Sequence, residues 1–143
     1  MKFSTKARYG LRAMIELALH QDQGPVPVKI IAENQEISEA YLEQIMSTLT
    51  RRGLTKSIRG IRGGYLLARN PSRIKVGDII KALEGPVVPV DCVNREDPLE
   101  CTRYDKCVSR IIWEQVRDAV EEIFGTVSLE DLKAKLMQKD ISL

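Results

Sequence analysis

The chain has 143 residues, enough for one domain with a modest core. Its composition is 43% hydrophobic and 29% charged, with no apolar run near the roughly eighteen residues that a membrane span needs. The net charge of +2 conceals a division, because residues 1–75 hold 13 Lys/Arg against 6 Asp/Glu while residues 76–143 hold 9 against 14.

A soluble protein with no membrane partner is expected. Its first residues, MKFSTKARYGLR, carry Lys2, Lys6, Arg8 and Arg12 where a secretory signal would have its apolar stretch, so the expected location is cytoplasmic. Arg51, Arg52, Lys56, Arg59, Arg62, Arg69, Arg73 and Lys75 are eight cations in 25 residues with no acid among them, the footprint of a surface that meets a polyanion.

In chain order, apolar residues Ala7, Leu11, Met14, Ile15, Ala18 and Leu19 recur at steps of three and four, which predicts an amphipathic helix over 5–20 capped by Ser4 or Thr5. Pro25 and Pro27 set an extended turn, and VKIIAEN predicts a short helix over 28–34 with Ile30, Ile31 and Ala32 as its apolar content. A tight connection through Gln35, Glu36 and Ile37 leads to Ser38, the predicted N-cap of a third helix that buries Leu42, Ile45, Met46 and Leu49 and stops at Gly53. Strands are predicted at 54–58 and 65–67, joined by RGIRGG. Gly60, Gly63 and Gly64 suit a hairpin, and Arg59 and Arg62 give it a charge that a turn alone does not need.

Two short helices, a tight turn and a basic hairpin make a winged helix-turn-helix. A further helix is predicted at 76–83. Another over 108–127 carries Val108, Ile111, Ile112, Val116, Ala119, Val120, Ile123 and Phe124 in a stripe longer than one small core requires, which reads as a dimerisation helix. A last helix is predicted at 128–137. The expected fold class is therefore mainly α with a small β-hairpin wing. Its expected units are a DNA-binding domain (1–85), a cysteine loop (86–107), and dimerisation and C-terminal helices (108–143).

With the apolar face of the third helix inward, Ala40, Glu43, Gln44, Ser47 and Arg51 point outward. Gln44 suits adenine N6/N7 and Glu43 can accept from cytosine N4, while Ser38 and Tyr41 sit at the helix start. Arg59 suits a narrow minor groove beside the wing, and Lys2, Lys6, Arg8 and Tyr9 are candidates for phosphate contact. No nucleophile and base pair suggests catalysis.

All three cysteines lie in CVNREDPLECTRYDKC, at Cys92, Cys101 and Cys107, and the only histidine is the distant His20. Zinc sites favour CxxC spacing, which is absent. An iron-sulfur cluster accepts wider spacings, and a thiol switch needs only one or two exposed cysteines, so both remain open.

The segments SxKxRYGLRAM, ISEAYLEQIMSTLTRRGLTKSIRGIRGGYLLAR, VGDIIKALEG and DKCxxxxxW resemble the IscR, NsrR and CymR type of winged-helix transcription regulators across nearly the whole chain. The resemblance implies a homodimeric bacterial regulator of palindromic operator DNA. In that pattern Cys92, Cys101 and Cys107 match three thiols that hold a cluster, usually of the 2Fe-2S kind, through which cluster supply, iron or redox state is sensed. Ser38, Glu43, Gln44 and Arg59 match its DNA contacts. The CymR-like alternative is control by direct thiol oxidation, a partner protein or a metabolite.

This chain departs from the pattern. Eight residues separate Cys92 from Cys101 where the IscR type has five. Arg110 stands where that type has a ligating histidine, and Arg8 stands where the NsrR type uses an acid. The fourth ligand is thus unassigned, with Glu96, Asp97, Glu100, Asp105, His20 or an external thiol as the alternatives.

Overall fold

The computed structural model describes residues 1–139. The expected unit 108–143 therefore extends outside the described residues.

Among these residues six α-helices and one hairpin form in the order α1 (Thr5–Leu19), α2 (Val28–Gln35), α3 (Glu39–Arg51), β1 (Thr55–Ile58), β2 (Gly64–Leu67), α4 (Val76–Glu84), α5 (Arg110–Thr126) and α6 (Leu129–Gln138). This is the expected mainly helical, winged architecture.

Helix α1 starts where Ser4 Oγ accepts from the Ala7 amide at 3.1 Å. It runs through the middle of the molecule and touches α2, α3, α4, α6 and β2. Being surrounded, it buries a broader face than the predicted stripe. Ala13, Met14 and Leu17 are fully in the core, while the predicted Leu11, Ile15 and Leu19 are only half-buried. Gly10 permits that crowding, because a Cβ there would stand 2.2 Å from Leu83 and 3.3 Å from Ile45.

Ile31 of α2 and Leu42, Ile45, Met46 and Leu49 of α3 complete the core, whereas Ile30 of α2 faces outward. Glu16, also fully buried, accepts from Gln35 Nε2 at 2.9 Å and from Asn34, and Arg12 in turn donates to the Gln35 side chain at 3.0 Å. Every one of these polar groups faces a partner, so the network orients α2 on α1 without leaving a bare carboxylate inside. The turn between α2 and α3 is closed by Glu36 in the left-handed region, at φ 56°.

The hairpin is antiparallel, with Thr55 opposite Leu67 and Ile58 opposite Gly64. The first strand starts one residue later than predicted because the Leu54 amide is committed to the end of α3, donating to the Leu49 carbonyl at 3.0 Å, and the second starts one residue earlier because Gly64 pairs with Ile58. A third extended segment joins it, since Val26 and Tyr65 exchange backbone hydrogen bonds at 3.0 and 2.9 Å. A Cβ on Gly64 would lie 2.3 Å from the Val26 carbonyl, so that junction requires glycine.

The grouping of α6 with α5 does not follow chain order. Ser128 pairs with Lys75, Leu129 is fully buried in the main core, and α6 packs on α1. Helix α6 therefore packs into the same core as the winged elements, while α5 lies against α4 with Phe124 on Val76 and Ile80.

Candidate nucleic-acid interface and cysteine loop

Ser38 caps α3 by accepting from the Tyr41 amide at 3.2 Å. From that start the helical period turns Glu39, Ala40, Glu43, Gln44, Ser47 and Arg51 to solvent. A groove of about 540 Å³ on this face is lined by Glu43, Gln44, Ser47, Thr48 and Arg51 together with Lys6 of α1. The structure thus brings one of the N-terminal cations to the exposed face of α3.

Lys2 and Arg8 border a different groove, shared with Leu83, Glu84 and Phe124. Tyr9 is half-buried, edge-on to Tyr41 with ring centroids 6.1 Å apart, and Arg12 lies 5.3 Å above its ring.

Two groups on the α3 side were not anticipated. Thr48 follows Gln44 by one turn and accepts from Arg51 at 3.1 Å, a position its i+4 spacing would have revealed. Tyr65 of the wing donates its hydroxyl proton to Glu43 Oε2 at 3.0 Å, a long-range contact with no local signal. The wing loop itself, residues 59–63, projects exposed Arg59 and Arg62 with a fully exposed Ile61 between them.

The cysteine loop is strapped at several points. Val93 is buried, and its carbonyl accepts from Arg117 of α5 at 3.0 Å. Arg95 reaches Asp118 at 2.6 Å and Glu121 at 3.4 Å, both on α5, and Glu96 pairs with Lys81 of α4 at 2.5 Å. A cavity of about 470 Å³ lies between α4, this strapped segment and α5.

All three cysteines are free. Cys101 is exposed, and Cys92 and Cys107 are half-buried. The Cys107 sulfur lies 3.1 Å from Ser109 Oγ. That hydroxyl, the Arg110 backbone N–H and the charge of Arg103 together hold the thiol below its ordinary range. Arg110 is clamped, its guanidinium 3.7 Å from the Tyr104 ring centre and its Nε 3.7 Å from Glu114. Among the described residues no three His, Cys, Asp or Glu side chains are arranged to hold a metal ion.

No residue of α5 is buried. Phe124 packs on Phe3 at a centroid distance of 5.7 Å, and Val120 lines the cavity against α4. Val108, Ile111, Ile112 and Ile123 are instead 79, 54, 49 and 58% exposed, with Trp113 beside them. The predicted stripe therefore divides into a face that packs within the chain and a face left exposed. No helix among the described residues is long and apolar enough to cross a membrane.

A helix-turn-helix with a tethered basic wing, an exposed recognition helix and a separate apolar helix defines a winged-helix transcription regulator. A family model described as Rrf2, iron-dependent transcriptional regulator, matches residues 3–135, and the chain belongs to that family. It is 48% identical over 132 residues to the HTH-type transcriptional regulator CymR of Bacillus subtilis, covering 92% of this chain and 89% of that one. The solved structure of that global cysteine regulator matches with a TM-score of 0.82 at 45% identity, over 94% of this chain and 98% of the other. The structure of T. potens IscR matches with a TM-score of 0.80 at 40% identity, over 100 and 93%. These relatives are regulators and not enzymes, as expected for a chain with no catalytic pairing.

Proposed function

We propose that the chain acts as a homodimer on a palindromic operator, and that the loop carrying Cys92, Cys101 and Cys107 controls its affinity. In this reading α3 lies in the major groove, with Ser38, Tyr41, Glu43, Gln44, Ser47 and Arg51 facing bases and phosphates. Arg59 and Arg62 follow the wing to the minor groove, and Lys2, Lys6, Arg8 and Tyr9 flank the backbone. The exposed face of α5 meets its twofold copy and spaces the two recognition helices by about one DNA turn, roughly 34 Å.

The observation that carries the control is the double strapping of the loop. Glu96 binds α4 of the DNA-reading half and Arg95 binds α5 of the dimerising half, so a change in loop structure reaches both.

Three thiolates are the donor type an iron-sulfur cluster takes, but the loop as it stands does not gather them around one site, so binding a cluster would require it to close. The three thiols are free and sit in one loop, and Ser109 holds the Cys107 thiol below its ordinary range. The protein supplies no fourth ligand at Arg110, which is cationic and engaged with Tyr104. When bound, a cluster of the 2Fe-2S kind would supply sensitivity to iron, oxidants and cluster supply. Anaerobic purification with visible absorption and iron and sulfide analysis tests this directly. A coloured protein with matching iron and sulfide is expected, and a colourless one with zinc or no metal overturns the cluster while leaving DNA binding intact.

A second reading, direct thiol oxidation in the CymR manner, is favoured by the Arg110 clamp and by the lowered Cys107 thiol. Replacing Cys92, Cys101 and Cys107 one at a time by Ser, and comparing operator affinity before and after peroxide, separates the two. Loss of peroxide response without any loss of iron supports the thiol switch.

A further inference from the structure

We propose that Tyr65 is a specificity-setting residue, fixing Glu43 in the orientation from which it reads a base amino group. The inference deepens the operator reading above and rests on it.

A glutamate on an exposed helix face has a mobile carboxylate. Here two cations, Lys6 and Arg51, line the same groove and would attract it. The Tyr65 hydroxyl competes with them through its hydrogen bond to Oε2 at 3.0 Å. That bond occupies one oxygen and leaves Oε1 as a pure acceptor. A pure acceptor admits the N4 amino group of cytosine or the N6 amino group of adenine and repels the carbonyl oxygens of guanine and thymine.

Tyr65 is itself unable to follow a swinging carboxylate. Its backbone is paired to Val26 on one side and to Ser57 on the other, at a junction too close for any residue but glycine at position 64, and its ring packs on the main core. Burial, and then the neighbouring Glu43, push its phenol above the ordinary value of 10.0. The hydroxyl therefore remains a donor to Glu43 across the physiological range. Tyr65 need not touch DNA; it acts through Glu43 as a positioning residue.

The test uses the full-length protein and a library of randomised duplexes to obtain base preferences for the wild type, Tyr65→Phe, Glu43→Ala, Glu43→Gln and the double variants. The wild type is expected to prefer an amino-bearing base at one position of each half-site, and Glu43→Ala to lose that preference. Tyr65→Phe should lose about five- to tenfold of it, the lower part of what one good base contact gives, with the salt dependence of binding unchanged.

Tyr65→Phe with Glu43→Ala should match Glu43→Ala alone. Glu43→Gln should turn the preference toward acceptor bases, because Tyr65 holds the amide oxygen and leaves the amide nitrogen facing the groove, and adding Tyr65→Phe should blur that turn. Thermal melting confirms that each variant folds.

Unchanged preference in Tyr65→Phe overturns the proposal, as does a uniform loss of affinity at every sequence, or additive effects in the double variant. If the wild type selects no sequence at all, the reading of α3 falls and this inference falls with it.

Discussion

Arg95, in the middle of the cysteine loop, donates to Asp118 on α5 at 2.6 Å, and Arg117 donates to the same carboxylate at 2.9 Å. One acid thus gathers two cations, and through Arg117, which also holds the Val93 carbonyl, the loop is fastened to the helix at both ends of a short segment. The Arg117 hydrogen bond first, and then Arg95, hold Asp118 below its ordinary 3.8.

A carboxylate whose folded pKa is depressed contributes stability above its unfolded value and loses it as pH falls through the folded one. The strap should accordingly be complete at neutral pH and be lost only below 3.8. Both partners are more than half exposed, so Asp118→Asn should scarcely move the melting temperature. What should change is local: amide exchange over residues 93–96 rises at pH 7 in the variant, and in the wild type only in acid. Equal exchange in both proteins at pH 7 would show that the pair does not fasten the loop.

The exposed face of α5 makes a prediction about assembly. In the proposed twofold interface Ile111→Glu would place a charge twice, where burial without a partner costs several kcal/mol. Because Ile111 is exposed in the single chain, its own fold should survive. Light scattering is expected to show monomers at concentrations where the wild type is dimeric, with unchanged circular dichroism and weakened operator binding. A dimer of normal strength would place the interface elsewhere.

The helix-turn-helix was legible because its signals are local. Ser38 caps the helix it precedes, Leu42, Ile45, Met46 and Leu49 fall on one face, and glycines with Arg59 and Arg62 mark the hairpin. The three thiols were visible by composition alone, but their surroundings were not. Arg95, Arg117 and Asp118 are ordinary surface residues until the fold opposes them across more than twenty positions. The Tyr65–Glu43 bond, the buried Glu16 and the return of α6 are equally long-range, and periodicity reports which face is apolar without saying what covers it. That is why the α5 stripe reads as one surface, when Val120 and Phe124 turn inward to the rest of the chain and Ile111 and Ile112 do not.

The return of α6 can be measured. Leu129 is fully buried among residues of the winged domain, beside the Ser128 cap that accepts from Asp131 at 3.1 Å. Leu129→Ala should therefore lower the stability of the DNA-binding half by about 2–4 kcal/mol, the cost of a buried leucine and the cavity it leaves. Denaturant titration followed by circular dichroism provides the value. A loss below about 0.5 kcal/mol, typical of surface substitutions, would mean that α6 is dispensable to that core.

The thiol at the head of α5 has its own signature in the metal-free, reduced protein. Ser109 is the leading cause of the lowered Cys107 thiol, so the alkylation rate at Cys107 should rise with pH about a midpoint below the ordinary 9.0. Ser109→Ala should move that midpoint upward. Mass spectrometry of iodoacetamide-treated protein resolves Cys107 from Cys101, which serves as the exposed internal comparison. Identical midpoints with and without the hydroxyl would remove Ser109 from the account.

The wing yields the most direct test of DNA contact. Arg59 is exposed at the start of a loop whose strands are fixed by their pairing and by the Val26–Tyr65 bridge, so it reaches outward from a rigid base and not from a floppy tip. A guanidinium neutralising phosphate charge in a narrow minor groove releases counterions, and its loss should reduce the slope of log affinity against log salt by about 1 per wing, or about 2 for a homodimer. Arg59→Ala should thus weaken binding most at low salt. Lys135→Ala, an equal change of charge at an exposed position of α6 outside the basic 51–75 segment, should leave the slope near that of the wild type. Fluorescence anisotropy over a salt series measures both. Equal slopes for wild type and Arg59→Ala would take the wing out of the groove, whatever the affinity does.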